Sequence, residues 1–103
     1  MALSFPQAEE QPHFDKRSFR IKNKIFATLT EKEKKAMVKL SAIDQSVFCA
    51  FDKAIIYPVP GVWGRQGATF INLQKIKASM LKDALSAAWC NVAPKNMVAN
   101  FLK

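Results

Sequence analysis

The chain has 103 residues, half of them hydrophobic, and a formal net charge of +8. This length and composition indicate one folded domain, residues 1–103, and exclude a disordered chain and a two-domain protein. No apolar run approaches the roughly 20 residues that a membrane span needs, and residues 1–6 lack the basic flank and apolar length of a signal peptide.

The first part of the chain predicts a helix end followed by three strands. Residues 1–5 fit the last turn of a helix that stops before a proline, and residues 7–17 are polar and irregular around a second proline. Alternating apolar residues over 18–21 and 25–29, separated by a Lys-Asn-Lys turn, predict a β-hairpin. After a charged turn, residues 36–40 predict a third strand.

A short helix is expected next, over residues 43–51. Ser41 or Asp44 is its predicted N-cap, because both side chains can accept a hydrogen bond from a free N–H of the first turn. Its predicted apolar stripe consists of Val47, Phe48 and Phe51.

The second half predicts two strands around a shaped loop, followed by helices. Residues 55–57 read as a short strand, and residues 67–73 as another. The segment 57–67 that joins them contains two prolines and three glycines, which exclude a long helix or a central strand. Apolar residues at i, i+4, i+7 and i+11 predict the longest helix over residues 77–93. Pro94 ends this helix, and residues 95–102 predict a short final helix. The stripe expected to pack on the sheet consists of Leu81, Leu85, Ala88 and Val92.

This order of helix, three strands, helix, two strands and helices is typical of an α+β fold, with a single antiparallel sheet flanked by helices. The period of two then assigns the sheet faces. The residues expected to face the helices are Phe19, Ile21, Ile25, Ala27, Val38 and Leu40. The residues expected on the open face are Arg20, Lys22, Phe26, Thr28, Met37 and Lys39. If Phe26, which is bulkier than Ala27, points inward instead, the open face loses its aromatic residue and keeps only a basic rim.

The positive charge is concentrated in one block. Residues 16–39 contain nine of the 16 basic residues and two of the eight acidic ones, a local net charge of +7. Such a block favours polyanionic partners, nucleic acid before an anionic membrane surface. A lysine-rich surface that only maintains solubility is the competing interpretation.

The Pro/Gly loop carries aromatic and polar side chains in a restrained backbone. Trp63, Arg65 and Gln66 in such a loop are typical of a surface held rigid for contact. The alternative is that Tyr57 and Trp63 cap the hydrophobic core.

Enzyme chemistry is not indicated. The one histidine, His13, lies near acidic residues and is interpreted as a hydrogen-bonded structural residue; no nucleophile motif, phosphate loop or metal-ligand spacing is present. Cys49 and Cys90 lie far apart in helical segments, which favours reduced, buried, unreactive thiols in a cytoplasmic protein. No catalytic residue, metal or cofactor is predicted.

Several segments together resemble the MmcQ/YjbR family of small bacterial proteins, in the right order over nearly the whole chain. They are FPQAEEQPHFDKRSFRIKNKIFATL, the Lys-Leu pair at 39–40, YPVPGVWGRQGATF and VAPK. The resemblance implies an α+β fold of the double-wing type, similar to secretion-chaperone-like folds. It also implies a DNA-binding role, which agrees with the charge distribution.

Two departures from the family pattern affect these expectations. Family members usually carry a longer leading helix before the position of Ala2, so part of a packing element is expected to be missing here. Many relatives carry Trp where this chain has Ala68, so a contact surface with two tryptophans would here depend on Trp63 alone.

Two hypotheses of function follow. The first is a monomeric protein that binds nucleic acid, DNA rather than RNA, with weak sequence specificity. Its expected contact residues are Lys16, Arg17, Arg20, Lys22, Lys24, Lys39, Trp63, Arg65 and Gln66. The alternative is a module that binds a protein or small ligand in a pocket, with incidental positive charge. The expected residues of that pocket are His13, Tyr57 and Trp63.

Overall fold

The computed structural model describes residues 3, 5–13 and 16–101, without the side chains of residues 13, 100 and 101. Over these residues the chain forms an α+β fold with an open antiparallel sheet and four helices. The strands are β1 (Glu9–His13), β2 (Lys16–Ile21), β3 (Lys24–Thr30), β4 (Lys35–Lys39), β5 (Ile56–Pro58) and β6 (Ala68–Asn72). The helices are α1 (Ala42–Phe51), α2 (Val62–Arg65), α3 (Ala78–Val92) and α4 (Lys95–Phe101).

The six strands lie in the order β1-β2-β3-β4-β6-β5, and every neighbouring pair is antiparallel. The strands predicted within residues 18–40, 55–57 and 67–73 are all present. Helix α3 packs on β3 and β4, so one face of the sheet is covered by helices and the other is open. We refer to these as the covered face and the open face.

Strand β1 corrects the prediction that residues 7–17 are irregular. Its five residues pair with β2 from Glu9 opposite Arg20 to His13 opposite Lys16. A central strand hydrogen-bonds to a neighbour on each side, and Pro12 has no N–H to donate. Strand β1 lies at the edge of the sheet and has a single neighbour. The proline is therefore compatible with the sheet.

The β2–β3 hairpin has the predicted turn and an unpredicted bulge. Lys22 and Asn23 both have positive φ, at 49° and 66°, as a two-residue type I′ turn requires. The register then shifts: Arg20 pairs with Ile25, whereas Phe19 pairs with Ala27. The prediction that Phe26 lies on the open face is therefore wrong. The extra residue turns Phe26 into the core, fully buried, and Ile25 to the open face.

The core lies between the covered face and α3. Leu85 and Ala88 are buried as the stripe predicts, whereas Leu81 and Val92 are half-buried. Trp89 is fully buried, stacks on Phe5 with ring centroids 6.3 Å apart, and donates from Nε1 to the Pro6 carbonyl oxygen at 3.1 Å. The predicted helix end over residues 1–5 lies largely outside the described residues.

Helix α1 begins where the capping argument places it but does not bury its stripe. The Ser41 Oγ accepts a hydrogen bond from the Asp44 N–H at 3.1 Å. Phe48 is half-buried, but Val47 and Phe51 are each more than three-fifths exposed, so the expectation of a core-facing stripe is wrong for these two residues. Of the helices within the described ranges, none is long and apolar enough to cross a membrane.

Candidate functional site

A groove of about 870 Å³ lies on the open face, and we call it the sheet groove. It runs over β2, β3, β4 and β6 and is bounded by the loop before β6 and the end of α3. Its lining residues are Lys16, Arg20, Asn23, Lys24, Ile25, Thr28, Met37, Lys39, Val59, Trp63, Gln66, Ala68, Phe70, Asn91 and Val92.

The sheet register sets the floor of the groove. Thr28 pairs with Met37 and Met37 with Phe70, so these side chains lie side by side on the open face. Ile25 joins them because of the bulge in β3. The floor of the groove is therefore largely apolar, and the same strands also carry basic residues that line the groove.

Four cations line the groove: Lys16, Arg20, Lys24 and Lys39. Arg20 is fixed by a hydrogen bond from its Nε to the Ser18 Oγ at 3.1 Å. Among the described residues that line the groove, none is acidic. The lining of the groove thus combines positive charge with apolar surface.

Arg17 occupies the opposite side of β2, although sequence analysis grouped it with the groove residues. Its Nε and Nη2 donate to the Glu10 carboxylate at 2.7 and 2.8 Å, and its Nη1 donates to Glu31 at 2.6 Å. These hydrogen bonds raise the pKa of Arg17, and the bond from Arg17 lowers the pKa of Glu10. The charge of Arg17 is therefore neutralised within the protein, away from the groove.

Lys22 is also separated from the groove, two residues from Lys24. Both lysines border a smaller depression against residues 91–95, but only Lys24 also lines the sheet groove. Residue 21, immediately before the turn, is fully buried, so the end of the hairpin is packed against the body of the protein.

The loop over residues 59–67, which we call the Trp63 loop, is docked rigidly. At Gly64 a Cβ would lie 1.8 Å from the Val59 carbonyl oxygen, and at Gly67, where φ is 103°, it would lie 2.0 Å from that of Leu40. Only glycine permits these approaches. From α1, the Gln45 Nε2 donates to the Gly64 carbonyl oxygen at 2.8 Å.

Trp63 is 65% exposed on this restrained backbone. Trp63 and Gln66 line the sheet groove, whereas Arg65 is exposed and lies outside its lining. The interpretation of Trp63 as a cap on the hydrophobic core is therefore wrong. The core tryptophan is Trp89.

The structure does not assemble the predicted pocket of His13, Tyr57 and Trp63. His13 lies on β1 and Tyr57 on β5, the two opposite edge strands of the sheet. Five strand spacings of about 4.8 Å separate them by roughly 24 Å, and the His13 side chain lies outside the described residues. Tyr57 instead contacts Phe70, with ring centroids 5.7 Å apart.

Sequence reasoning missed several residues of this surface. Lys35 lies on the open face with its Nζ 4.5 Å from the centroid of the Phe70 ring. The period of two, which assigns Met37 and Lys39 to that face, would also have found Lys35. Asn91, which donates from Nδ2 to the Lys39 carbonyl oxygen at 3.2 Å, comes from α3 and carries no such signal.

The two thiols are unbonded and half-buried rather than fully buried. Partial burial raises the pKa of both thiols, and the Asp44 carboxylate adds to the effect at Cys90. Within residues 3, 5–13 and 16–101, no three His, Cys, Asp or Glu side chains come together in a way that could hold a metal ion.

Comparison with protein families identifies the chain. The model of the YjbR family matches residues 3–91. The chain belongs to this family. A similar fold is found in the crystal structure of the Deinococcus radiodurans protein DR2400, which carries a DUF419 domain. That structure matches with a TM-score of 0.78 and 14% sequence identity, over 92% of this chain and 75% of the other. A search of curated proteins found no match.

Proposed function

We propose that this protein binds nucleic acid, with DNA as its main target, through the sheet groove. The observation that carries the proposal is that the described lining of the groove contains four cations, no acidic residue and an apolar floor. Cations bind phosphates without regard to sequence, whereas apolar and aromatic side chains contact bases or sugars. Binding is therefore mainly electrostatic and weakly sequence-specific.

The other ionic contacts of the molecule support this choice of surface. Over the described part of the chain, the ion pairs are those of Arg17 with Glu10 and Glu31, on the other side of β2. Among the described residues the groove cations form no such ion pair, although Glu9 lies opposite Arg20 on β1. Nothing in the binding model needs a cofactor, a catalytic residue or a second copy of the chain. We propose a monomeric binding protein rather than an enzyme.

A module for a protein or small ligand is the second candidate, and the rigid, exposed Trp63 favours it. In that case the Trp63 loop would supply the contact and the charge would be incidental. The two unbonded thiols are consistent with a reducing compartment, and we propose a cytoplasmic location for either function.

The test measures binding of labelled DNA by fluorescence anisotropy over a series of salt concentrations. The groove variant replaces Arg20, Lys24 and Lys39 together by Ala. The matched control replaces Lys53, Lys75 and Lys82, three exposed lysines outside the groove, and has the same net charge as the groove variant. Circular dichroism establishes that both variants are folded.

We expect the log–log salt slope to fall by about 0.7 to 0.9 for each phosphate contact removed in the groove variant. The control variant should keep the parental slope. Equal binding by the two variants would show that net charge alone drives association. Absence of DNA binding by the parent at low salt would overturn the proposal and leave the second candidate, whose ligand should bind with little salt dependence.

A further inference from the structure

We infer that the sheet groove takes single-stranded nucleic acid in preference to duplex, with a base stacked on Trp63. The inference rests on the proposed function and specifies its substrate class. Three features of the structure carry it: the packed hairpin end, the apolar floor and the open ring of Trp63.

Duplex DNA is usually read by an element that projects into a groove, either a helix or a two-stranded ribbon in the major groove about 12 Å wide. The β2–β3 hairpin would be that ribbon here. Its end does not project, because Ile21 is buried beside the turn, and Lys22 and Lys24 border a depression against residues 91–95.

The helices do not supply a projecting element beside the groove either. Helix α2 is one turn long, with four residues, and α3 packs on the covered face of the sheet. Among the described residues, the free cations near Trp63 therefore lie within a concave surface. A rigid duplex meets such a surface only at its rim, whereas a flexible single strand can follow it.

The floor of the groove matches what a single strand exposes. Ile25, Met37 and Phe70 contribute apolar surface to the same lining that holds the cations. In a duplex the base faces are stacked inside and the outer surface is the phosphate backbone. A single strand offers base faces to this apolar surface and phosphates to the cations, as in other grooves that bind single strands.

Trp63 is the open aromatic ring of this surface. The Phe70 ring has the Lys35 ammonium over it, 4.5 Å from its centroid. Trp63 is 65% exposed, and its backbone is fixed by the close approaches at Gly64 and Gly67. A base can therefore stack on Trp63 without rearrangement of the loop, so that little ordering cost opposes binding.

The chain provides its own reporter for this contact. It has two tryptophans, and Trp89 is fully buried with its Nε1 bonded to the Pro6 carbonyl oxygen. Stacking of a base should therefore quench the emission of Trp63 and leave that of Trp89. The probes are oligothymidylate of about 12 nucleotides and a mixed-sequence duplex of equal length, each titrated at low salt.

We expect the single strand to bind at least about five-fold more tightly than the duplex and to quench the Trp63 emission. Trp63→Ala should weaken single-strand binding by about five-fold or more without changing the salt slope, because stacking releases no counterions. Trp63→Phe keeps an aromatic ring and should retain most of the affinity while losing the quenching.

The outcomes separate the inference from the proposed function. Equal or tighter binding of the duplex, with the expected salt dependence, would overturn the single-strand inference while the proposed function stands. Single-strand binding that is unaffected by Trp63→Ala would overturn the assignment of Trp63 as the stacking platform. Lack of binding to either probe at low salt would overturn the proposed function and the inference together.

Discussion

The two faces of the sheet use the same strands for different purposes. On the covered face Phe19, Ala27 and Val38 lie opposite one another and are buried under the helices. On the open face of the same strands, Arg20 and Met37 line a groove. The difference shows how alternation along a strand lets one side provide stability while the other stays available for a ligand.

The charged residues follow the same division. Arg17 and Arg20 are three residues apart on β2 and point to opposite sides of the strand. Arg17 is held by two carboxylates, whereas Arg20 donates a hydrogen bond to the neutral Ser18 hydroxyl. A count of basic residues in sequence cannot make this distinction, because it depends on which acidic side chains the fold brings close.

The largest expected effect is on stability, and the two tryptophans allow the covered side and the exposed loop to be compared with the same residue type. Trp89→Ala removes a fully buried ring from the covered side and should lower the free energy of unfolding by about 3–5 kcal/mol. Trp63→Ala on the exposed loop should change it by no more than about 0.5 kcal/mol. Urea denaturation followed by circular dichroism measures both.

Comparable stability losses for the two tryptophan variants would show that Trp63 also has a structural role. In that case the Trp63 loop could not be treated as a free contact surface. Leu85→Ala, at a buried position of α3, provides a reference for an ordinary core truncation, at about 2–5 kcal/mol.

A smaller effect is expected at the backbone of the Trp63 loop. Gly64→Ala places a Cβ 1.8 Å from the Val59 carbonyl oxygen, so the loop must move. We expect a loss of about 1–3 kcal/mol in the free energy of unfolding, typical of overpacking, together with weaker ligand binding. The matched control is Val62→Ala in the same turn, which is exposed and should be nearly neutral. Unchanged stability of Gly64→Ala would contradict the rigid docking of the loop.

A smaller effect is expected on the salt dependence of binding, where two basic residues in the groove are compared with two outside it. Arg20→Ala and Lys24→Ala should each lower the salt slope on single strands by about 0.7 if each removes one phosphate contact. Arg17→Ala and Lys22→Ala should leave the slope unchanged, because these side chains lie outside the sheet groove. Anisotropy titrations at several salt concentrations measure the four slopes. If the groove pair and the control pair gave the same slope, the nucleic acid would not be using the groove.

Much of the fold was predictable from the sequence. The hairpin, β4, β6 and α3 follow from alternation and helical spacing, and Ser41 from its capping chemistry. Strand β1 was missed because its polar residues and Pro12 carry no apolar alternation. Its pairing depends on a single neighbour, which only the assembled sheet supplies.

The candidate site was predicted in part. Lys16, Arg20, Lys24, Lys39, Trp63 and Gln66 line the groove. The bulk of Phe26 relative to Ala27 indicated that Phe26 could point inward. The bulge itself carries no signal in the alternation, because it depends on how β3 pairs with β2. Strand β6, the Trp63 loop and α3 all border the groove. Their proximity results from tertiary packing, which no local sequence pattern predicts.

The smallest expected effect concerns the thiols of the helices on the covered side. Burial raises the pKa of Cys49 and Cys90, so less thiolate is present at neutral pH than in a free cysteine, and the thiolate is the reactive form. Labelling of the native protein by a thiol reagent at pH 7 should therefore be slower than that of the urea-unfolded chain. The native labelling rate should begin to rise at a higher pH than that of the unfolded chain.

Because the thiol pKa values are higher in the folded state, the protonated thiols contribute to stability. This contribution is present below the unfolded pKa and is lost as the pH rises through the folded pKa. Native labelling as fast as that of the unfolded chain would mean that these thiols are not protected.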